Sequence, residues 1–536
     1  MDSVAEEGIG VRSAKILYPL FIGQGFGVAF TALTFIVVAR ILNPTGYGVY
    51  TLAFGFAALV NGFLAFGVGA YFSTMLAGLS YKKDGEGILR TLSSGYIIAG
   101  TAGIVLTLFG IGVSSYLAGV YANLHVTSLI LMAAAGTIIF NILETLAVSA
   151  LIGFSRTDLS ATINVVVDLI QLALSVMLTI KYGVIGAVSA MLIGYLAGAV
   201  IGAYLVYRVV SSTFKFRIYL PSRAEIGSVF RVVWPLAATN FLNTGMQNFS
   251  ILFLGFYVTL SQLGNYGAAS KGYALLFMIY SVFGSGLLPI FTTAKALEMS
   301  DRINSTYNKI IHFALIPMLP IIVFVGVMAA PGLDLFVGSS YSSAPLFLTL
   351  IAAGSTLGLF GTYISELLIS GGHTSSVMKV NFISAVLQLV FMLLLVPYLK
   401  VIGAILTIFF IGNAVEAVFF SKYASRMFGL KLELRKTIFL YVSNAVLGLM
   451  LFLIYISSNI LLSSYLVGEK YILEIIVGVV ISLLVYPGLL IMFRAINDKD
   501  ILSMRYATNK LGRVSNIFGS FFDYSDYLYQ ALIRKA

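Results

Sequence analysis

Long apolar runs separated by short polar stretches fill most of the chain. Fourteen runs lie roughly at 15–39, 47–78, 91–117, 126–151, 159–181, 184–208, 232–258, 263–294, 309–332, 343–371, 376–398, 401–425, 437–463 and 470–493. A bilayer-spanning helix needs about 20 apolar residues, so each run predicts one span, numbered 1 to 14 in chain order. Several runs exceed that length, which implies tilt or extension past the membrane. The first run is too long for a signal-peptide core of roughly 7–15 residues and reads as a retained helix. The fold class expected is an all-α integral membrane protein of about 14 transmembrane helices.

Charge sets the expected orientation. With the amino terminus inside, 27 of the 32 Lys and Arg fall in inside segments, Arg40, Lys181, Lys400 and Lys470 fall outside, and Lys271 lies within span 8. Such a bias is the positive-inside pattern. It places both termini in the cytoplasm, and it supports the span count, because one missed helix would invert every later loop.

The chain also repeats. Lys15, Pro19 and Leu20 recur 216 positions on as Arg231, Pro235 and Leu236, and Gly48, Tyr50 and Ala53 recur as Gly264, Tyr266 and Ala269. Farther along the offset is 217: Thr157, Asn164, Gln171, Gly186 and Ala187 match Thr374, Asn381, Gln388, Gly403 and Ala404. A unit of six spans keeps its orientation, so the two repeats are parallel and related by an axis along the membrane normal. The division expected is an N-lobe of helices 1–6 over 1–210, a cytoplasmic linker over 211–230 and a C-lobe of helices 7–12 over 231–427. Helices 13–14 follow over 428–496, and an amphipathic cytoplasmic tail over 497–536. Two similar lobes suit a device that opens a central site to each side in turn.

Composition narrows the function classes. Apolar residues make up 59% of the chain and charged residues 10%, against about 25% charged in soluble domains. Lipid is therefore the solvent for most of the surface. The formal charge of +11 belongs to the cytoplasmic loops rather than to a nucleic-acid surface. There is no cysteine, which removes disulfides and thiolate chemistry. The three histidines show no metal spacing, and no cofactor is expected. An enzyme would need a sizeable outer loop with acidic or metal-binding residues, and the predicted outer loops are about ten residues or fewer.

Ionisable side chains at membrane depth are costly and face protein or water. They are Glu144 in span 4, Asp168 in span 5, Lys271 in span 8, Glu366 in span 10 and Glu416 in span 12. The structural alternative for each is an internal ion pair or a packing role. Lys271 aligns with Gly55 in the repeat, so packing symmetry does not demand a cation there. Asn240, Asn243, Thr244 and Gln247 share one face of span 7 by their i, i+3, i+4, i+7 spacing. Amides and hydroxyls both donate and accept, which suits hydroxyl-rich ligands such as sugars. The stripes Asn164, Asp168, Gln171 and Asn381, Gln388 read equally as interhelical hydrogen-bonding residues. Gly23, Gly25 and Gly27 read as close helix packing.

The run Val37-Val38-Ala39-Arg40-Ile41-Leu42-Asn43-Pro44-Thr45-Gly46-Tyr47-Gly48-Val49-Tyr50 resembles the signature after the first helix of polysaccharide-transport flippases. These belong to the multidrug/oligosaccharidyl-lipid/polysaccharide exporter superfamily. Leu263-Gly264-Asn265-Tyr266-Gly267-Ala268-Ala269 resembles the matching element of the second lobe. Asn43 stands where glycine is usual. Asn248 stands near a position that often carries Asp, so the resemblance carries no ion-coupling role to it. The resemblance implies two six-helix bundles around a central cavity, often with two added helices. It implies movement of a lipid-linked oligosaccharide, on a polyprenyl or dolichyl phosphate or diphosphate, across the plasma membrane. Lys271, with Arg40 at the outer mouth, would meet the phosphates, and Asn240, Asn243, Thr244 and Gln247 the sugar. Asp168, Glu144, Glu366 and Glu416 are candidates for a coupling proton or sodium ion. Arg40 reads equally as an interfacial anchor. A monomer in membrane lipid is expected. The alternative is a cation-coupled multidrug exporter of the same superfamily.

Overall fold

The computed structural model describes residues 2–62, 65–121, 127–212, 219–220, 222–275, 277, 300–429, 434–461, 467–497, 523–524, 527–528 and 530. Among the described residues there is no strand. The helices are α1 (Asp2–Asn61), α2 (Ala65–Tyr81), α3 (Gly85–Val120), α4 (Ser128–Gly153), α5 (Thr157–Ser211) and α6 (Arg223–Leu254). A seventh, α7, covers 260–275. Then come α8 (Ser300–Val327), α9 (Ala329–Phe336), α10 (Ala344–Ser370), α11 (Thr374–Ile405), a π-helix over Leu406–Gly412, α12 (Asn413–Phe428), α13 (Leu434–Leu461) and α14 (Val467–Met492).

Eight of the described helical stretches are long and apolar enough to cross a membrane, and a ninth forms from Ile311–Val327 with Ala329–Phe336 across a 68° bend. Their outward faces are apolar: Ile104, Val105, Leu108 and Phe109 on α3 are exposed, as are Val479, Val480, Leu483 and Leu484 on α14. Contiguous apolar surface of this kind is stable only against lipid. The protein is a multi-pass membrane protein.

Three long helical stretches, α1, α5 and α11 continued through the π-helix into α12, run through the junction between two predicted spans. The backbone leaves helical geometry at Asn43 in α1, at Gly183 in α5 and at Lys400 in α11, all with φ between 51° and 61°. Left-handed geometry suits Gly183 but strains Lys400, since a side chain at positive φ crowds the backbone. Gly183 and Lys400 are repeat partners at offset 217. So are the two positive-φ corners Ser155 and Gly372. The repeat read from side chains is thus also written in the backbone. Two predicted spans differ in detail. In span 2, α1 ends at Asn61 and α2 begins at Ala65. Span 9 bends at Met328, where α8 gives way to the short α9, whose Pro331 has no N–H to donate to the Val327 carbonyl four residues back. Proline removes a ladder hydrogen bond and clashes with the preceding turn.

The chain forms two compact units, Met1–Lys271 with Ala385–Ala404, and Gly272–Ser384 with Ile405–Ala536. In the first, α5 packs along α4 and α1, and α6 packs on α1 and α2. Here the starts of spans 2 and 8 press on each other reciprocally. A Cβ at Gly48 would collide with the Leu260 carbonyl, and a Cβ at Gly264 with the Pro44 carbonyl. Gly48 pairs with Gly264 in the repeat, and Pro44 with Leu260. A contact in which i meets j′ while j meets i′ is the mark of a two-fold axis. The second unit buries Leu315, Leu319, Tyr363, Leu367, Leu440, Leu447 and Leu490 in a core shared by α8, α10, α13 and α14.

Candidate functional site

Three of the ionisable residues named from sequence come together in the first unit. Glu144 on α4 is 8% exposed. Its Cγ and Cδ fill the space beside Gly198, where an added Cβ would lie 3.0 Å from each. Asp168 on α5 is half-buried and rests on α1, with Oδ2 3.1 Å from where a Cβ of Gly27 would stand. Gly27 therefore makes room for a carboxylate. Lys271 on α7 is half-buried, with Nζ 5.8 Å from the centroid of the Phe54 ring. Lys271 and Asp168 lie within electrostatic reach of each other, as do Asp168 and Glu144. Among the described residues Lys271 forms no direct ion pair.

Tyrosines complete this pocket, and sequence reading passed over them because a tyrosine in a span looks like any large apolar residue. Tyr195 lies within reach of Glu144, Tyr50, Asp168 and Gln171. Tyr50 donates to Met191 Sδ at 2.9 Å. The arrangement offers one cation, two carboxylates and phenol hydroxyls at membrane depth. A phosphate, a proton or a small cation each finds a complementary charge there.

The other candidates stand elsewhere. Arg40 is exposed three residues before the break at Asn43. Gln247 is exposed on α6, and the side chains of Asn240, Asn243 and Thr244 lie outside the described residues. Glu366 is half-buried on α10. Glu416 accepts from Ser384 Oγ at 3.0 Å in the second unit, directly after the π-helix. Asn413, at the exit of the π-helix, donates to the Gly354 carbonyl at 3.1 Å. Nearly all of the tail lies outside the described residues.

At the corner before α5, Arg156 binds Asp158 at 3.0 Å. This holds the Asp158 carboxyl below its ordinary value, the side-chain hydrogen bond being the largest cause.

Solved structures share the fold. The lipid II flippase MurJ in an inward closed conformation matches with a TM-score of 0.68 at 17% identity, over 89% of this chain and 98% of that one. An inward-facing multidrug resistance MATE family transporter of the MOP superfamily matches at 0.63 and 17%, over 78% and 98%. A MOP superfamily transporter from Pyrococcus furiosus, with a binding pocket described as of reverse polarity, matches at 0.55 and 16%, over 77% and 96%. A search of curated proteins returns no match. The family model described as polysaccharide biosynthesis protein matches residues 37–345, more than half of the sequence and including both glycine-tyrosine elements, so the chain belongs to the polysaccharide biosynthesis protein family.

Proposed function

We propose that the protein is a flippase that moves a lipid-linked oligosaccharide from the cytoplasmic to the outer leaflet of the plasma membrane by alternating access. Both termini would lie in the cytoplasm. The observation that carries this reading is Lys271, an ammonium at membrane depth that faces an aromatic ring and no directly bonded carboxylate. A cation kept out of a tight ion pair is available to an anionic ligand, and a lipid-linked sugar brings phosphate. Burial makes such a pairing stronger than it would be in water. Asp168, and Glu144 behind it, would return a proton or sodium ion to this site when the phosphate leaves. Asn240, Asn243, Thr244 and Gln247 would meet sugar hydroxyls, and Arg40 the phosphates at the outer mouth. Glu366 and Glu416 are further proposed sites for the coupling ion. The reciprocal contact of Gly48 and Gly264 is the seam that such a transporter would part toward the outside.

Replacing Lys271 with Ala should stop delivery of glycan to the outer face, with unchanged protein in the membrane, while Lys271→Arg should keep part of it. Normal delivery by Lys271→Ala would remove the residue from the mechanism.

A second reading, a cation-coupled multidrug exporter, draws on the paired carboxylates Glu144 and Asp168 and on the likeness to the MATE transporter. Drug accumulation in cells with and without the protein separates the two.

A further inference from the structure

A second polar group lies within the second unit, at the ends of α9, α13 and α14 that the charge pattern places outside. Glu474 on α14 is 3% exposed. Its Oε1 accepts from Ser458 Oγ at 2.7 Å, while its Oε2 is buried with no hydrogen-bond partner. One turn earlier on the same face, Tyr471 donates to Asp334 Oδ2 at 3.1 Å. Tyr471 lies within electrostatic reach of both Tyr455 and Glu474. Asp334 is half-buried on α9. Asp334 and Glu474 thus both lie within electrostatic reach of Tyr471, and Glu474 keeps one buried oxygen without a hydrogen-bond partner. A buried acceptor without a partner costs about 1–3 kcal/mol, more when charged, so the geometry calls for a donor.

A cavity shares Tyr455 with this group. It has a volume of about 420 Å³ and is walled by Gly326, Val327, Thr349, Gly448, Phe452 and Tyr455, with Leu346 and Leu449 at its rim. Glycines at 326 and 448 open the space, and the one threonine hydroxyl is already spent on the Gly326 carbonyl at 2.6 Å. Apart from the phenol of Tyr455, the lining is therefore apolar. The rim leucines are more than half exposed on the lipid-facing side, so the cavity opens toward acyl chains and not toward water. Tyr455 belongs to both features: its side chain lines the cavity and stands beside Tyr471.

We infer that this is a lipid site of the outer leaflet, taking a lipid with a primary-amine headgroup. One acyl chain would lie along Gly448 and Phe452, and the ammonium would donate to Glu474 Oε2 with Asp334 as its second anion. Charge complementarity fixes the choice of headgroup. Two carboxylates disfavour the phosphates of the transported lipid, and a quaternary amine has no hydrogen to donate. The site is shared by α13 and α14, outside the six-span repeat, and by α8, α9 and α10 within it, so the two added helices gain a role in gripping the surrounding leaflet.

The test uses the full chain in nanodiscs of phosphatidylcholine with and without phosphatidylethanolamine, followed by native mass spectrometry of retained lipid. Wild type should keep phosphatidylethanolamine in preference to phosphatidylcholine. Glu474→Gln should lower that preference about tenfold or more, the loss of one charge-assisted hydrogen bond. Leu346→Trp, at the exposed rim and away from the carboxylates, should lower retention of both lipids by narrowing the entrance. Equal retention of both lipids by wild type, or an unchanged preference in Glu474→Gln, overturns the inference. Protection of the protein by calcium chloride alone, with no lipid preference, also overturns it and makes Asp334 and Glu474 a metal site.

Discussion

The two repeats each place one carboxylate in the gap between their fourth, fifth and sixth spans, but they deliver it from opposite walls. In the first, Glu144 on α4 fills the hollow left by Gly198 on α5, against Val167. In the second, Gly361 on α10 leaves the hollow, packing on Ala417, and Glu416 on α12 occupies the region and binds Ser384. Glu144 aligns with Gly361 and Val167 with Ser384, both at offset 217. The π-helix at Leu406–Gly412 has no counterpart in the first repeat, where 189–195 are α-helical. A π-turn inserts one residue relative to an α-helix. Past it the offset becomes 218, and Glu416 falls opposite Gly198. The acid and the glycine have exchanged helices. An exchange of this kind keeps a carboxylate at a place while giving up its sequence position. The neighbours differ: Asp168 lies within electrostatic reach of Glu144, whereas the hydroxyl of Ser384 donates to Glu416.

The hardest break of this symmetry is at the glycines that create it. Gly48→Ala and Gly264→Ala each drive a Cβ into a backbone carbonyl, of Leu260 and of Pro44, where no side chain can rotate away. Each should cost about 1–3 kcal/mol, seen as a lower thermal midpoint in detergent, and the two losses should match because the contact is reciprocal. A loss in one variant only would mean that the two-fold relation does not extend to energetics.

A sharper test moves the acid. Glu144→Gln and Glu416→Gln should each reduce glycan delivery about tenfold, the scale of one buried charged interaction. The double variant Glu144→Gly with Gly198→Glu rebuilds in the first repeat the arrangement of the second. It should recover part of the delivery lost in Glu144→Gln. No recovery, with protein present in the membrane at the normal level, would mean that the donor helix matters and not the junction.

Much of the frame is legible before any coordinates. The breaks at Asn43 and Gly183 fall where the predicted spans end, because a turn needs residues that tolerate positive φ and lipid needs about 20 apolar residues between turns. Asp168 and Lys271 stand out since charge in lipid is costly. The exchange between Glu144 and Glu416 is hidden, because a repeat alignment compares residue with residue at a fixed offset, and the π-helix shifts that offset with no mark in Leu406-Thr407-Ile408-Phe409. Glu474 is hidden for another reason. Near the end of a span a carboxylate reads as an interfacial residue, and only the packing of α13 and α14 shows it buried.

The smallest effect belongs to the two corners that precede α5 and α11. Ser155 and Gly372 are repeat partners at positive φ, but the residues that follow differ. Arg156 and Asp158 form a partly exposed pair, whereas His373 packs edge-on against Phe428 with centroids 5.4 Å apart. Only the first corner carries a carboxylate whose folded pKa is depressed. Its contribution is therefore fully present above the unfolded pKa of Asp158 and fades as pH falls through the lower, folded value. Both side chains are about half exposed, so water and salt screen the pair and its worth stays below about 1 kcal/mol. Asp158→Asn should lower the midpoint slightly at neutral pH and leave it unchanged at a pH low enough to protonate Asp158, with the neutral-pH difference shrinking in high salt. An Asp158→Asn deficit that persists in acid would show that the side chain acts at the start of α5 by its shape and hydrogen bonding, and that the two corners differ in packing alone.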